Sequence, residues 1–410
     1  MTINRRFFLR DSGLVIAGAG LAPLWLARAA ETGSGGGARR KVLVALFQRG
    51  AMDGLNAVIP FNDKRYYSMR PSIAIPAPGK PGGALDLDGR FALHPSLAPL
   101  KTLWDRKQLA IVHAAGSPDA TRSHFDAQDY MESGTPGRKS TRDGWLNRSL
   151  PPSIAPSTPL RAIAMGSRLP RTMRGANSAV AIGSIRDFKL DEKQSKGALE
   201  AMYSGTRDVD LAAPGRDTFE AMKLIEAIDR KPYSPVSGAS YPSSKFGQSL
   251  QQIAQLIKAD VGVEVAFAEI GGWDTHTAEA QRLPNLLSDL GGSLAAFCAD
   301  LGDRFEDVTV VTMSEFGRTA HENGNGGTDH GHANVMLVAG GSAALKGGRM
   351  HGAWPGLERE QLYEGRDLAV TTDFRAVLGE LISGHLGVTE LDRIFPGAEG
   401  LAAKRLGLLA

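Results

Sequence analysis

Carboxylates, imidazoles and hydroxyls gather in five short, glycine-punctuated stretches of this chain: Gln48–Asn56, Ala115–Asp126, Gly271–His276, Ser314–Thr319 and Gly327–His332. Asp274 and His276 stand two apart, so an extended backbone points both side chains the same way. His330 and His332 repeat that spacing, with Asp329 beside them. Imidazole and carboxylate at such intervals suit zinc, manganese or another divalent ion. For a single Asp-x-His the plainer reading is a capped turn with a satisfied histidine. Two such clusters together point to metal. Cys298 is the single cysteine, so a thiolate cluster and an intramolecular disulfide are both excluded.

The remaining chemistry-bearing residues each carry a bland alternative. Asp53, in Met-Asp-Gly-Leu-Asn, is a metal ligand or a turn former before Gly54. Ser123 opens Ser-His-Phe-Asp, which matches a capping box. A serine at a helix N-terminus is also exposed and close to positive dipole, so Ser123 is either a simple cap or a nucleophile activated by a metal at its oxygen, with Thr121 the alternative hydroxyl. Glu315 and Arg318 follow an apolar run directly. They form either a buried charge pair or a ligand or general base (Glu315) beside a fork for an oxyanion (Arg318). His351 is a weaker candidate ligand, and His94, His113, His321 and His385 sit in no cluster. Trp273 and Trp354 wall a pocket or simply pack.

Such loops need a frame that brings them together. Short apolar runs of the buried-strand type occur at Val42–Phe47, Leu109–Ala114, Arg161–Met165, Ala179–Ile182, Val261–Ile270, Val308–Met313 and Val335–Val338. Helical periodicity marks Pro95–Lys107, Ser244–Lys258, Leu283–Asp303 and Thr372–Leu386. Alternating strands and helices predict an α/β fold, a mainly parallel sheet flanked by helices on both faces. Ligands in such sheets sit beyond the carboxyl ends of the strands, where most of the candidate loops fall. The stretch from about 150 to 243, rich in Pro, Ser, Gly and charge, is expected to be an irregular insertion or cap within a single domain over 41–410.

Charge and composition narrow the function classes. With 47 Lys+Arg against 44 Asp+Glu the net charge is +3. Residues 1–29 hold Arg5, Arg6, Arg10 and Arg28 against Asp11, and without them 43 basic residues face 43 acidic ones. A neutral body has no basic field for a phosphate backbone, so nucleic acid is excluded as a partner. The leader itself reads as a signal peptide: charged start, an apolar run from Gly13 to Ala27, then Ala27-Arg28-Ala29. Its adjacent arginines before Phe-x-Leu point to the twin-arginine route and its translocase, hence a periplasmic or secreted location. Residues 30–40 form a flexible linker, and no stretch is long and apolar enough for a stable membrane span.

Taken together, Arg-Gly-Ala-Met-Asp-Gly-Leu-Asn, Arg-Ser-His-Phe-Asp-Ala-Gln, Gly-Gly-Trp-Asp-Thr-His, Ser-Glu-Phe-Gly-Arg-Thr and Gly-Thr-Asp-His-Gly resemble a Tat-exported bacterial family. It is catalogued as domain of unknown function 1501 and placed with the alkaline phosphatase-like superfamily. The resemblance runs from about Lys41 to Leu386. It implies a three-layer sandwich, one or two divalent ions (zinc or manganese first, then calcium or magnesium), and hydrolysis of phosphate or sulfate esters. On that pattern Asp53 resembles the first-strand metal aspartate, Ser123 the nucleophile, Asp329 and His330 the Asp-His metal pair, and Asp274 with His276 the ligands of the other ion. His332 and His351 compete for a last histidine position. The Asp-to-His interval departs from the superfamily's usual one, and there is no Cys-x-Pro-x-Arg, which excludes a formylglycine sulfatase. The expected function is an exported metal-dependent hydrolase of small-molecule or polysaccharide esters. The alternative is a non-catalytic metal- and anion-binding accessory protein of the envelope.

Overall fold

The computed structural model describes residues 39–152, 158–186, 220–230, 232–341, 343–401 and 404–409. The leader at 1–29, most of the linker at 30–40 and residues 187–219 of the expected cap lie outside them.

One large sheet organises the chain. Its strands are β1 (Val42–Arg49), β5 (Leu109–Gly116), β6 (Ala162–Met165), β7 (Val180–Ile182), β8 (Val265–Gly271), β9 (Val308–Ser314), β10 (Asn334–Gly340), β11 (Arg349–His351) and β12 (Thr372–Asp373). They lie in the order β11-β5-β10-β9-β1-β8-β6-β7, with β12 also on β5. A small antiparallel sheet of β2 (Val58–Ile59), β4 (Ala92–Leu93) and β3 (Leu85–Asp86) stands apart. Each of the seven apolar runs becomes a strand. The 158–186 stretch adds β6 and β7 to one end of the sheet rather than only covering it.

β1 shows why the fold has three layers. It is central, with Leu43 opposite Val265 of β8 and Thr309 of β9. Val42, Val44 and Leu46 face one side, where they meet α1 (Ala98–Asp105), α3 (Lys245–Lys258) and α4 (Glu279–Leu301). Leu43, Ala45 and Phe47 face the other, against Trp145, Phe395 and α5 (Phe374–Leu381). A strand buried on both faces cannot alternate with polar residues, which is why it reads as an unbroken apolar run. In α3 the side chains of Phe246, Leu250, Ile253 and Leu256 make one buried stripe, and the Ser244 hydroxyl caps it by accepting from Gly247 N at 2.9 Å. Each such burial stabilises by ~1.5–3 kcal/mol.

β10 runs against the rest: it is antiparallel to both β5 and β9, whereas the other pairings in the large sheet are parallel. The reason is in the connection. No helix intervenes between β9 and β10, and a parallel return needs a crossover. The beginning of β10 therefore lies at the same edge as the carboxyl ends of β1, β5, β8 and β9. The loop carrying Asp329, His330 and His332 is delivered to that edge from the opposite chain direction.

Candidate metal centre

Helix α2 (His124–Ser133) begins just after the β5 loop and aims His124 at the strand ends. Asp274 and His276 come from the loop after β8, and His330 from the loop before β10. His124, Asp274 and His330 each offer a ligand atom within 4.8 Å of the other two. Asp274 Oδ1 is the focus, 3.6 Å from His124 Nε2, 3.4 Å from His330 Nε2 and 3.1 Å from His276 Nε2.

Each of the three imidazoles turns its other nitrogen to an acceptor. His124 Nδ1 lies 2.8 Å from Glu315 Oε1, His330 Nδ1 2.8 Å from the Arg122 carbonyl, and His276 Nδ1 3.0 Å from Asp329 Oδ1. With Nδ1 donating, all three Nε2 atoms carry lone pairs toward Asp274, a tautomer assigned from the hydrogen bonds. His276 Nε2 and His330 Nε2 then face each other at 2.9 Å. Two lone pairs at that distance repel unless a proton or a cation lies between them. His124 Nε2 is buried and has no hydrogen-bond partner. The separations of Asp274 Oδ1 from the three Nε2 atoms and of His276 Nε2 from His330 Nε2, 2.9–3.6 Å, also bracket the ~3.3 Å edge of a tetrahedron with bonds of about 2.0–2.1 Å. The donor set fits a zinc-sized divalent ion.

Burial and neighbouring charge hold the carboxylates ionised and His330 neutral, while His124 is pushed the other way. Burial pushes the Asp274 carboxyl up, but the hydrogen bond and charge of Arg318 outweigh it and hold Asp274 below the usual range. Burial likewise opposes ionisation of Glu315, yet bonds from His124, Gln128 Nε2 (2.9 Å) and Gly50 N (2.8 Å) keep it low. The Glu315 hydrogen bond in turn raises His124. Burial lowers His330, which favours its neutral form. Asn323 and then His276 hold Asp329 low.

Two glycines make the close approaches feasible. Gly50 has φ +114°, and a Cβ there would meet Asp274 N at 2.7 Å. Gly331 lies in a short bridge that pairs Arg318 with His330, and a Cβ on it would fall 2.3 Å from the Arg318 carbonyl.

The sequence matches the family described as "Protein of unknown function (DUF1501)" over residues 40–394. The chain belongs to the DUF1501 family. No curated protein matches it. Among solved structures this DUF1501 chain is similar to a protein in the alkaline phosphatase superfamily from Vibrio parahaemolyticus, at 10% identity and TM-score 0.34, covering 76% of this chain and 62% of that one. It is also similar to a sulfatase from Pseudoalteromonas sp., at 13% and 0.38, covering 94% and 75%. Similarity to an alkaline phosphatase from the Antarctic bacterium TAB5 stands at 11% and 0.27, covering 74% and 92%. The DUF1501 chain thus spans 62% of the length of the Vibrio protein. Scores of this size transfer neither a site nor an activity.

Several expected roles are redistributed in the DUF1501 chain. Asp53 stays out of the cluster: it is 1% exposed, caps the turn Gly54–Ala57 through Leu55 N and Asn56 N, and pairs with buried Arg70 at 2.5 Å. Both of its oxygens are engaged by those donors inside the core. Arg318 is 2% exposed, and its guanidinium is turned onto the carbonyls of Gly50, Ala51, Trp273 and Thr328 and onto Asp274 Oδ1 at 2.6 Å. It positions Asp274 rather than holding a substrate. Glu315 orients His124, and Asp329 orients His276. His332 is set aside against the Ser117 carbonyl (3.1 Å) and Tyr363, and His351 bonds the Lys346 and Leu406 carbonyls. Ser123 is exposed at the N-terminus of α2 and makes no capping bond, while Thr121 Oγ1 accepts from Ser123 N at 3.3 Å. His124 is the residue the sequence reading missed. Its signal was its place beside Ser123 in a strand-end loop, masked by the capping-box interpretation.

Proposed function

We propose that this chain is an exported, divalent-metal-dependent hydrolase of phosphate or sulfate esters. The observation that carries the reading is the convergence of three lone-pair nitrogens, from His124, His276 and His330, on Asp274 Oδ1. Asp274, His124 and His330 would hold the ion, with His276 beside them. A divalent ion there supplies Lewis-acid polarisation of an ester oxygen and acidifies a nearby hydroxyl.

The chain's own residues do the rest. Glu315 and the Arg122 carbonyl fix the rings of His124 and His330. Arg318 neutralises Asp274 without leaving the protein interior. Ser123, next in chain to His124 and free of a capping bond, is the nucleophile. The N–H groups at the start of α2 favour an anionic ester beside it. Thr121 is the poorer candidate because its oxygen already accepts a backbone N–H. Small-molecule or polysaccharide esters are the substrates. The leader at 1–29 directs the chain through the twin-arginine translocase to the periplasm or beyond. No helix among the described residues is long and apolar enough to cross a membrane.

Elemental analysis after zinc or manganese reconstitution, with a phosphate and sulfate ester panel, tests the proposal. Bound metal and turnover lost in both Ser123→Ala and His330→Ala are expected. Undiminished turnover in Ser123→Ala would remove the serine from its role, and no retained metal would remove the mechanism. Metal retained without turnover of any ester would leave the reading as a metal- and anion-binding accessory protein. The full engagement of Arg318 inside the protein favours that second reading.

A further inference from the structure

We propose that a cleft next to the metal centre is a second anion subsite, so that the preferred substrate carries another phosphate or sulfate group near the ester that is cleaved. The proposal rests on the metal centre holding the first anion, whether or not it cleaves it.

The cleft measures about 470 Å³ and opens beyond the carboxyl ends of β1, β6 and β8, where Arg49, Met165 and Glu269 reach its wall. Helix α2 connects it to the metal centre. His124, Gln128 and Glu132 follow one another at i, i+4 and i+8 along one face. His124 faces Asp274, Gln128 donates to Glu315 Oε1 and accepts from Arg49 Nη1 at 3.0 Å, and Glu132 pairs with Arg49 at 2.9 Å. At about 1.5 Å of rise per residue, Glu132 stands roughly 12 Å along the axis from His124, and Asp129 roughly 8 Å. That is the span of one or two sugar rings.

Charge pairing in the cleft is uneven. Arg49 satisfies both Glu132 and Glu269, the latter at 2.5 Å, and Arg171 lies 3.4 Å from Asp129. All three acids thus have an arginine partner, and four arginines against three acids leave the cleft with one positive charge in excess. Arg168 and Arg174 remain, both exposed on the cleft, and among the described residues neither has a carboxylate partner. Arg174 donates only its Nε, to the Leu169 carbonyl at 3.1 Å. Arg168 sits in the loop directly after β6, at the edge where ligands of open α/β sheets bind. Two guanidinium forks without a carboxylate partner can each grip two oxygens of a tetrahedral phosphate or sulfate.

Isothermal titration of the zinc-loaded and the EDTA-treated chain distinguishes the cases. The probes are glucose 1,6-bisphosphate against glucose 6-phosphate, and a disulfated against a monosulfated chondroitin disaccharide, which separates phosphate from sulfate. The two-anion sugar of at least one pair is expected to bind about tenfold tighter than its one-anion partner. That preference should disappear in Arg168→Ala/Arg174→Ala and be only partly kept in Arg168→Lys/Arg174→Lys, which retains the charge but not the fork. Equal affinity within both pairs, or a preference that persists in the alanine variant, overturns the subsite. Release of phosphate or sulfate is followed separately. Its absence alongside arginine-dependent binding would count against the hydrolase reading and leave the cleft assignment intact.

Discussion

His276 Nε2 and His330 Nε2 face each other at 2.9 Å, each with its Nδ1 committed to an acceptor. Stability should therefore respond sharply to a divalent ion. Zinc at a hundred times its dissociation constant is expected to stabilise the chain by about 2.7 kcal/mol, read as a rise in thermal midpoint. His330→Ala should abolish that rise. An equal rise in the variant would mean that zinc binds elsewhere.

Glu315 fixes His124 from behind, and its carboxylate is fully buried among three N–H donors. Replacing such a partner typically weakens metal binding by about 10–100-fold. Glu315→Gln should do so while circular dichroism shows an intact fold. Unaltered affinity would show that His124 needs no orienting charge.

Asp53 and Arg70 form a buried pair that takes no part in the His124–Asp274–His330 group. Arg70→Met strands a carboxylate in the core and should cost ~3–5 kcal/mol in urea denaturation. Asp53→Asn is expected to retain full metal occupancy. Loss of the ion in that variant would restore Asp53 to the ligand set.

Glu279 lies against this pair, accepting from Asn56, Thr275 and Thr328. Burial, reinforced by the Asp53 charge, pushes its carboxyl from 4.5 up to about 8. The folded chain then keeps a proton that the unfolded chain releases, so stability should decline as pH climbs from about 4.5 to about 8. Glu279→Gln should flatten that decline. A slope unchanged in the variant would assign the proton to another group.

Phe125 is 87% exposed on the first turn of α2, beside Ser123 and His124. An aromatic face there should stack on a sugar or aryl leaving group. Phe125→Ala is expected to raise KM several-fold on such esters and leave kcat nearly unchanged. A fall in kcat with KM fixed would contradict this.

Most of the frame was legible because doubly buried strands must be apolar throughout, as in Val42–Phe47. The direction of β10 was not, since strand polarity depends on the connection and Val335–Val338 looks the same either way. At the site, Asp274, His276 and His330 announced themselves by spacing, and the structure gathers them. Asp53 misled because an aspartate before Gly-Leu-Asn suits a ligand and a turn cap equally. Its competitor for partnership, Arg70, lies seventeen positions on and carries no motif. Arg318 read as a substrate fork because sequence cannot show how many carbonyls surround a guanidinium.

Those carbonyls have a consequence for assembly. Arg318 clasps Gly50 and Ala51 across separations of 268 and 267 residues, and Trp273 across 45. Contacts of such range close only after intervening strands have docked, so this region matures late and as a unit. A chain ending between Thr277 and Val308 would hold the two loops around Gly50 and Trp273 yet leave both unclasped, so the cluster cannot close until Arg318 has been added.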